Sequence, residues 1–193
     1  MNPFTCDMLS QPELDRDCLN YLSVSGKPVK ASRLFLGNEL SHQIGVLNKL
    51  FDRDADYYKS IELNKSFFRA MQEGVVKNLY YPETINNRPL TQDVFSLSSW
   101  DPAVCSSYEE AYHQVIWGLV RMQVASVRLA AGSSPITKIL VDGGFVDNEI
   151  FITLLKHFLP EYTIEASEMP LGSAFGAASV LEADFAQRMT NDA

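Results

Sequence analysis

The stretch Ile139-Leu-Val-Asp-Gly-Gly-Phe-Val-Asp-Asn148 constrains this chain more than any other part of it. Ile139, Leu140 and Val141 form a short apolar run after the turn-rich Gly132-Ser-Ser-Pro135, the pattern of a buried strand. Asp142-Gly143-Gly144 breaks that run. From Asn148 onward Ile150, Phe151, Leu154, Leu155 and Phe158 recur at spacings of three and four, which predicts a helix stopping before Pro160. The order is strand, glycine pair, helix. Residues without a β-carbon let a ligand approach the main chain, and the helix N-terminus turns unpaired N–H groups and a partial positive charge toward it. Such a turn suits a phosphate or a nucleoside, with a plain turn as the alternative. No G-x-G-x-x-G follows the strand and no Gly-Lys-Ser/Thr occurs in the loop, so neither the Rossmann fingerprint nor a Walker loop is present.

Composition narrows the partners. At 193 residues and 46% hydrophobic, the chain is long enough to bury a core as one domain. A formal charge of −8, with 16 basic residues scattered along the sequence, argues against a nucleic-acid surface. No apolar run approaches the roughly 20 residues needed to cross a bilayer, so no membrane role is expected. Met1-Asn-Pro-Phe-Thr-Cys-Asp7 lacks the basic start and apolar centre of a signal peptide. Cys6, Cys18 and Cys105 are odd in number and widely spaced, which indicates neither a disulfide framework nor a zinc motif, and a reducing cytoplasm is the expected compartment. His42, His113 and His157 lie far apart in helical patterns and are expected as satisfied or surface residues rather than metal ligands or bases.

Taken in order, Ser10-Gln-Pro-Glu13 reads as a capping box opening a helix with Leu14, Cys18, Leu19 and Leu22 on one side. Tyr21 to Val29 reads as an extended segment around a Ser25-Gly26 turn, with a second strand through Leu34-Phe-Leu36 closed by Gly37. A helix from Asn38 carries Leu40, Ile44, Leu47, Leu50 and Phe51 toward a core. The acidic run Asp52 to Asp56 lacks the central glycine and closing glutamate of an EF-hand and reads as a solvated helix end. Residues 57–104 carry little pattern apart from a helix at Lys65 to Gly74. Ser107-Tyr-Glu-Glu110 is a second capping box, opening a helix to about Ala130 that is apolar on more than one face. Gly118 in its middle points to a close crossing by another element. Tyr162 to Ala166 reads as a strand, and Leu171-Gly-Ser-Ala-Phe-Gly-Ala-Ala-Ser-Val180 as a helix opening with small residues. The alternation in the C-terminal half predicts an α/β layer fold.

Leu140-Val-Asp-Gly-Gly-Phe-Val-Asp-Asn148, followed by Ser173-Ala-Phe-Gly-Ala-Ala-Ser179, resembles the C-terminal signature of the FGGY carbohydrate kinases. These are the glycerol, xylulose, fuculose and rhamnulose kinases of the actin-like, ribonuclease-H-like ATPase superfamily. The resemblance is close over residues 105–182 and looser earlier, where Asn2-Pro-Phe4 and Ala31-Ser-Arg-Leu-Phe-Leu-Gly37 are similar to the second domain of bacterial kinases of this kind. It implies a single domain over 1–193: the second lobe of the actin-like fold, a central sheet flanked by helices. Gly143 and Gly144 would lie against the ribose and α-phosphate of ATP, and Asn148 would face the adenine. Asp142 would approach the phosphates or fix the turn, the turn being slightly favoured. Gly176 and its alanine neighbours would let the last helix pack against the nucleotide-bearing layer.

A complete kinase of that family has two lobes around a cleft. Its first lobe carries the sugar site, a phosphate loop and the aspartate that takes the proton from the sugar hydroxyl. A Gly-Thr phosphate loop is also expected just before the Asn-Pro-Phe. Neither stands in this sequence, so the expectation is a second lobe truncated at its N-terminus, supplying the adenosine half of an ATP-dependent sugar kinase and inactive alone. Mg²⁺ would be held mainly by residues outside the chain, and no residue within it is assigned as base. An apolar face left where the first lobe docks would favour a homo-oligomer. The competing expectation is a non-catalytic nucleotide-binding or scaffolding module of the same fold. A Rossmann-like dehydrogenase domain is a third, disfavoured by the missing fingerprint.

Overall fold

Every residue from Ala111 to Val120 is buried, polar His113 and Gln114 included. That unbroken run is the middle of the longest helix, and the other elements are laid around it. A computed structural model describes residues 18–22, 28–32, 36–76, 79–80, 100–132 and 135–167. They form β1 (Cys18–Leu22), β2 (Pro28–Ser32), α1 (Leu36–Phe51), α2 (Lys65–Gln72), α3 (Tyr108–Ala131), β3 (Lys138–Val141), α4 (Glu149–Phe158) and β4 (Thr163–Ala166), with single 3₁₀ turns at Tyr57–Ser60 and Pro102–Val104. Helix α3 packs against α1, α2, α4 and β2. Leu47, Ile116, Leu119, Met122, Ile150 and Leu154 meet in the core, and each fully buried Leu or Ile contributes roughly 1.5–3 kcal/mol.

The strands form two separate pairs. β1 and β2 are antiparallel, in register from Cys18 opposite Ser32 to Leu22 opposite Pro28. β3 and β4 are parallel, from Lys138 opposite Thr163 to Val141 opposite Ala166, with α4 as the crossover between them. The parallel ladder is bracketed by Thr163 N–H donating to the Thr137 carbonyl at 2.8 Å and Ser167 N–H donating to the Val141 carbonyl at 2.7 Å. The fold is thus of the general α/β kind, with a βαβ unit at its C-terminal side.

Local chemistry sets the helix ends. Ser107 Oγ accepts from Glu110 N–H at 3.2 Å, and the Glu110 carboxylate reaches back to Ser106 N–H at 2.8 Å, one residue beyond the usual reciprocal partner of a capping box. Asn64 caps α2 through Ser66 N–H at 2.9 Å and Phe67 N–H at 3.3 Å. The far end of α2 closes on Gly74 at φ +68°, with Gly74 N–H to Met71 and Val75 N–H to Ala70, both bonds of a Schellman motif. Asp52 takes the equivalent position after α1 at φ +50°, with Arg53 N–H bonded to the Asn48 carbonyl at 3.0 Å. The acidic run is therefore a solvated helix end.

Several expectations are corrected. Cys18 to Leu22 is a strand, not the flank of a helix, because pairing with β2 satisfies its backbone. Leu36 and Gly37 belong to the first turn of α1 rather than to a strand and its closing glycine. Leu50 is 45% exposed, since the core contacts of α1 run through Leu36 and Leu47 instead. The Ile139 strand is only half-buried, and Leu140 is 64% exposed, because successive side chains alternate faces and Leu140 shares the open face with Lys138 among the described residues. No central sheet larger than a pair occurs among the described residues. Asn2-Pro-Phe4, the Ser10 capping box, the Ser25-Gly26 turn and the small-residue stretch around Gly176 lie outside them.

Candidate functional site

Gly118 explains the middle of the molecule before the site itself. A β-carbon there would stand 2.6 Å from the Tyr80 carbonyl oxygen, so the crossing expected at this glycine is made by Tyr80. Tyr80 is buried, donates its hydroxyl to Glu39 Oε1, and meets the Trp100 ring edge-on at 5.0 Å. Trp100 in turn donates its indole N–H to Gln114 at 2.8 Å. These contacts fix the start of α1 against α3. His113 is satisfied as expected: Nε2 accepts from Asn64 N–H at 2.9 Å and Nδ1–H donates to the Glu109 carbonyl at 2.7 Å, while burial lowers its pKa. His42 and His157 are exposed.

Between the start of α1, the 3₁₀ turn and the residues entering α4 lies a cavity of about 1020 Å³. That is at the top of the roughly 300–1,000 Å³ range of small-molecule sites. One wall is Leu40 and Ile44 of α1, one is Tyr58 to Glu62, and the third is Gly144, Phe145 and Asp147 to Glu149. Tyr112 of α3 lies between the last two. Its ring is 6.2 Å from that of Tyr58, and its hydroxyl accepts from Asn148 Nδ2 at 2.9 Å.

The third wall follows directly from its sequence. Gly143 has φ +83°, a conformation costly for residues with a β-carbon, and Asp142 Oδ1 accepts Gly143 N–H at 2.8 Å. Asp142 therefore ties the turn. Val146 N–H then bonds to the Gly143 carbonyl and Asn148 N–H to the Phe145 carbonyl, both at 3.1 Å. The Phe145 ring packs on Phe151 at 4.3 Å, holding the turn down on α4. Both glycines are exposed, and a β-carbon on either would have nothing within 4 Å. Among the described residues no acceptor meets the main-chain N–H of Gly144, Phe145 or Asp147.

Of the four residues singled out in the sequence, Gly144 and Asn148 line the cavity, whereas Asp142 and Gly143 shape the turn outside its wall. Asn148 is also the N-cap of α4: its Oδ1 accepts Phe151 N–H at 2.9 Å. Comparison of the chain with models of known families, with curated proteins and with solved structures finds no match.

The charges in the wall are unbalanced. Among the described residues of the wall, Glu62, Asp147 and Glu149 stand against one cation, Lys59, whose ammonium is held by Asp56 at 2.7 Å. Such a wall favours neutral, hydroxyl-bearing groups and disfavours bare phosphates. Among the described residues no three His, Cys, Asp or Glu side chains gather as a metal site. Beside Gly144 the turn leaves open space at the cavity edge.

Tyr58, Ser60 and Glu62 were not legible as site residues. They sit in a single 3₁₀ turn and the extended segment after it, where there is no period to read. The sequence offers there only Tyr57-Tyr58, an aromatic pair beside an acidic run. On the α1 wall, Gly37 lies in the first turn of a helix rather than at the end of a strand.

Proposed function

We propose that this chain is the nucleotide-binding lobe of an ATP-dependent carbohydrate kinase with the actin-like ATPase fold. The observation that carries the reading is the uncovered Gly143–Gly144 turn at the edge of a cavity wide enough for a nucleoside. The similarity of Leu140 to Asn148, and of Ser173 to Ser179, to the FGGY signature supports the same reading. In this proposal the adenosine end of ATP rests between Tyr58 and Gly144, with the ring of Tyr58 available for stacking and the turn N–H groups for the ribose or α-phosphate.

Phosphoryl transfer also needs a positioned γ-phosphate, Mg²⁺ to neutralise charge and a base for the attacking hydroxyl. Asp101 accepts Ala103 N–H at 2.9 Å and Asp142 is engaged with Gly143, so both have structural work. No carboxylate of the chain is assigned as base. The chain on its own is therefore expected to bind ATP weakly and to phosphorylate nothing.

Calorimetric titration with ATP tests this, with Gly144→Arg as control. Heat from the wild-type chain and none from the variant is expected. Equal heats for the two proteins overturn the site, and sugar-dependent release of ADP by the 193-residue chain overturns the division of labour.

A further inference from the structure

Tyr112 is 2% exposed, yet it lines the cavity, and its polar end touches Asn148, which lines the cavity too. The roles of the Asn148 amide are fixed by its neighbours. Phe151 N–H is only a donor, so the atom facing it is Oδ1, and the atom facing Tyr112 is Nδ2. The Tyr112 hydroxyl is therefore an acceptor toward Asn148, and its own proton is left over. Among the described residues, no acceptor takes that proton; the other contacts of Tyr112 are ring contacts with Tyr58 and Tyr108. A buried hydroxyl proton without an acceptor is costly unless a ligand or water meets it.

We infer that the Tyr112 hydroxyl is a ligand-reading donor, aimed by Asn148 at a ring nitrogen of a purine base in the cavity. This rests on the nucleotide reading above and adds the atom that distinguishes one base edge from another. Asn148 donates into one lone pair of the phenol oxygen, which turns the O–H away from Asn148 and strengthens it as a donor. Burial raises the phenol pKa well above its ordinary 10.0, so the proton is present throughout the working pH range. The ring nitrogens of a purine are neutral acceptors, suited to a wall whose carboxylates repel phosphate.

The test uses the full chain and adenosine, so that phosphate and metal do not enter. Wild type, Tyr112→Phe and Asn148→Asp are titrated by calorimetry with adenosine and its 1-, 3- and 7-deaza analogues. Asp caps a helix as well as Asn does, so α4 keeps its N-cap, but a carboxylate accepts the phenol proton and removes it from the cavity. Both variants are expected to bind adenosine about fivefold to tenfold more weakly than wild type. One deaza analogue is expected to show the same loss against wild type and no further loss against Tyr112→Phe. Adenosine binding that is equal in wild type and both variants, or deaza losses undiminished in Tyr112→Phe, overturns the inference and leaves the nucleotide reading standing. Absence of adenosine and ATP heats with wild type takes down both. Thermal melts of the variants identify any loss caused by unfolding, and Asn148→Asp then carries the comparison if Tyr112→Phe fails to fold.

Discussion

The carbonyl oxygen of Tyr80 sits where a β-carbon of residue 118 would go, 2.6 Å from it. Replacing Gly118 with alanine gains about 1 kcal/mol of helix propensity. It also forces a methyl group onto a main-chain oxygen, and overpacking of this kind costs about 1–3 kcal/mol. The obstacle is backbone, so it cannot swing aside as a side-chain tip would. Gly118→Ala is expected to be less stable than wild type in urea denaturation. A variant more stable than wild type removes the crossing.

The two turn glycines are expected to differ. At Gly143, φ +83° makes any β-carbon a local strain of about 1–2 kcal/mol, although there is space for it. Gly144 has open space and no such backbone constraint. Gly143→Ala is expected to lower the melting temperature, while Gly144→Ala stays within about 0.5 kcal/mol of wild type. Differential scanning calorimetry of the pair separates the backbone role from the ligand-facing one. Equal destabilisation contradicts the assignment.

Stability is expected to fall on acidification in two stages. Burial holds the His113 pKa below its ordinary 6.5, so the unfolded chain takes up a proton first as the pH drops below that value. Stability from His113 is fully present above pH 6.5 and is lost as pH falls toward the lowered folded value. Glu109, held below 4.5 chiefly by the Tyr57 hydroxyl, contributes with the same sign at lower pH. Melting temperatures measured across this range should decline toward acid, and His113→Gln should flatten the upper stage. An unchanged slope in that variant assigns the upper stage elsewhere.

Mg²⁺ is expected to matter for ATP and not for adenosine. Glu62, Asp147 and Glu149 repel an uncompensated triphosphate, and a metal carried on the phosphates screens that repulsion. Chelation should weaken ATP binding severalfold and leave adenosine binding unaffected. Glu149→Gln should raise metal-free ATP affinity. Identical ATP affinity with and without Mg²⁺ shows that the phosphates lie away from these carboxylates.

What the sequence made legible was local. The Asn148 and Ser107 caps, the reach of α2, α3 and α4 and the β4 strand follow from spacing and end chemistry within a few residues. Gly118 signalled a crossing, though nothing in the sequence named Tyr80 as the partner. The β1–β2 pair is legible only next to its turn, at Tyr21–Leu22 and Pro28–Val29; its outer half is hidden because Leu14, Cys18, Leu19 and Leu22 also satisfy a helical period, and only pairing with Pro28 to Ser32 decides between the two. An apolar run suggests burial for Leu140, whereas its exposure depends on whether another element packs on the face it occupies. One wall of the candidate cavity belongs to residues 58–62, where no period exists, and another depends on Tyr112 meeting Asn148 across 36 positions of chain.

The bond from Ser167 N–H to the Val141 carbonyl has a consequence for how the protein is made. Parallel strands cannot be joined by a tight turn, so the whole of α4 must be threaded before β3 gains its neighbour. A ribosome has to release Ser167 before the strand leading into Asp142 is secured at that end. Because Phe151 precedes Ser167, the Phe145 ring has its partner on α4 before β4 has been made, so the turn can be held from the helix side before the ladder closes beside it.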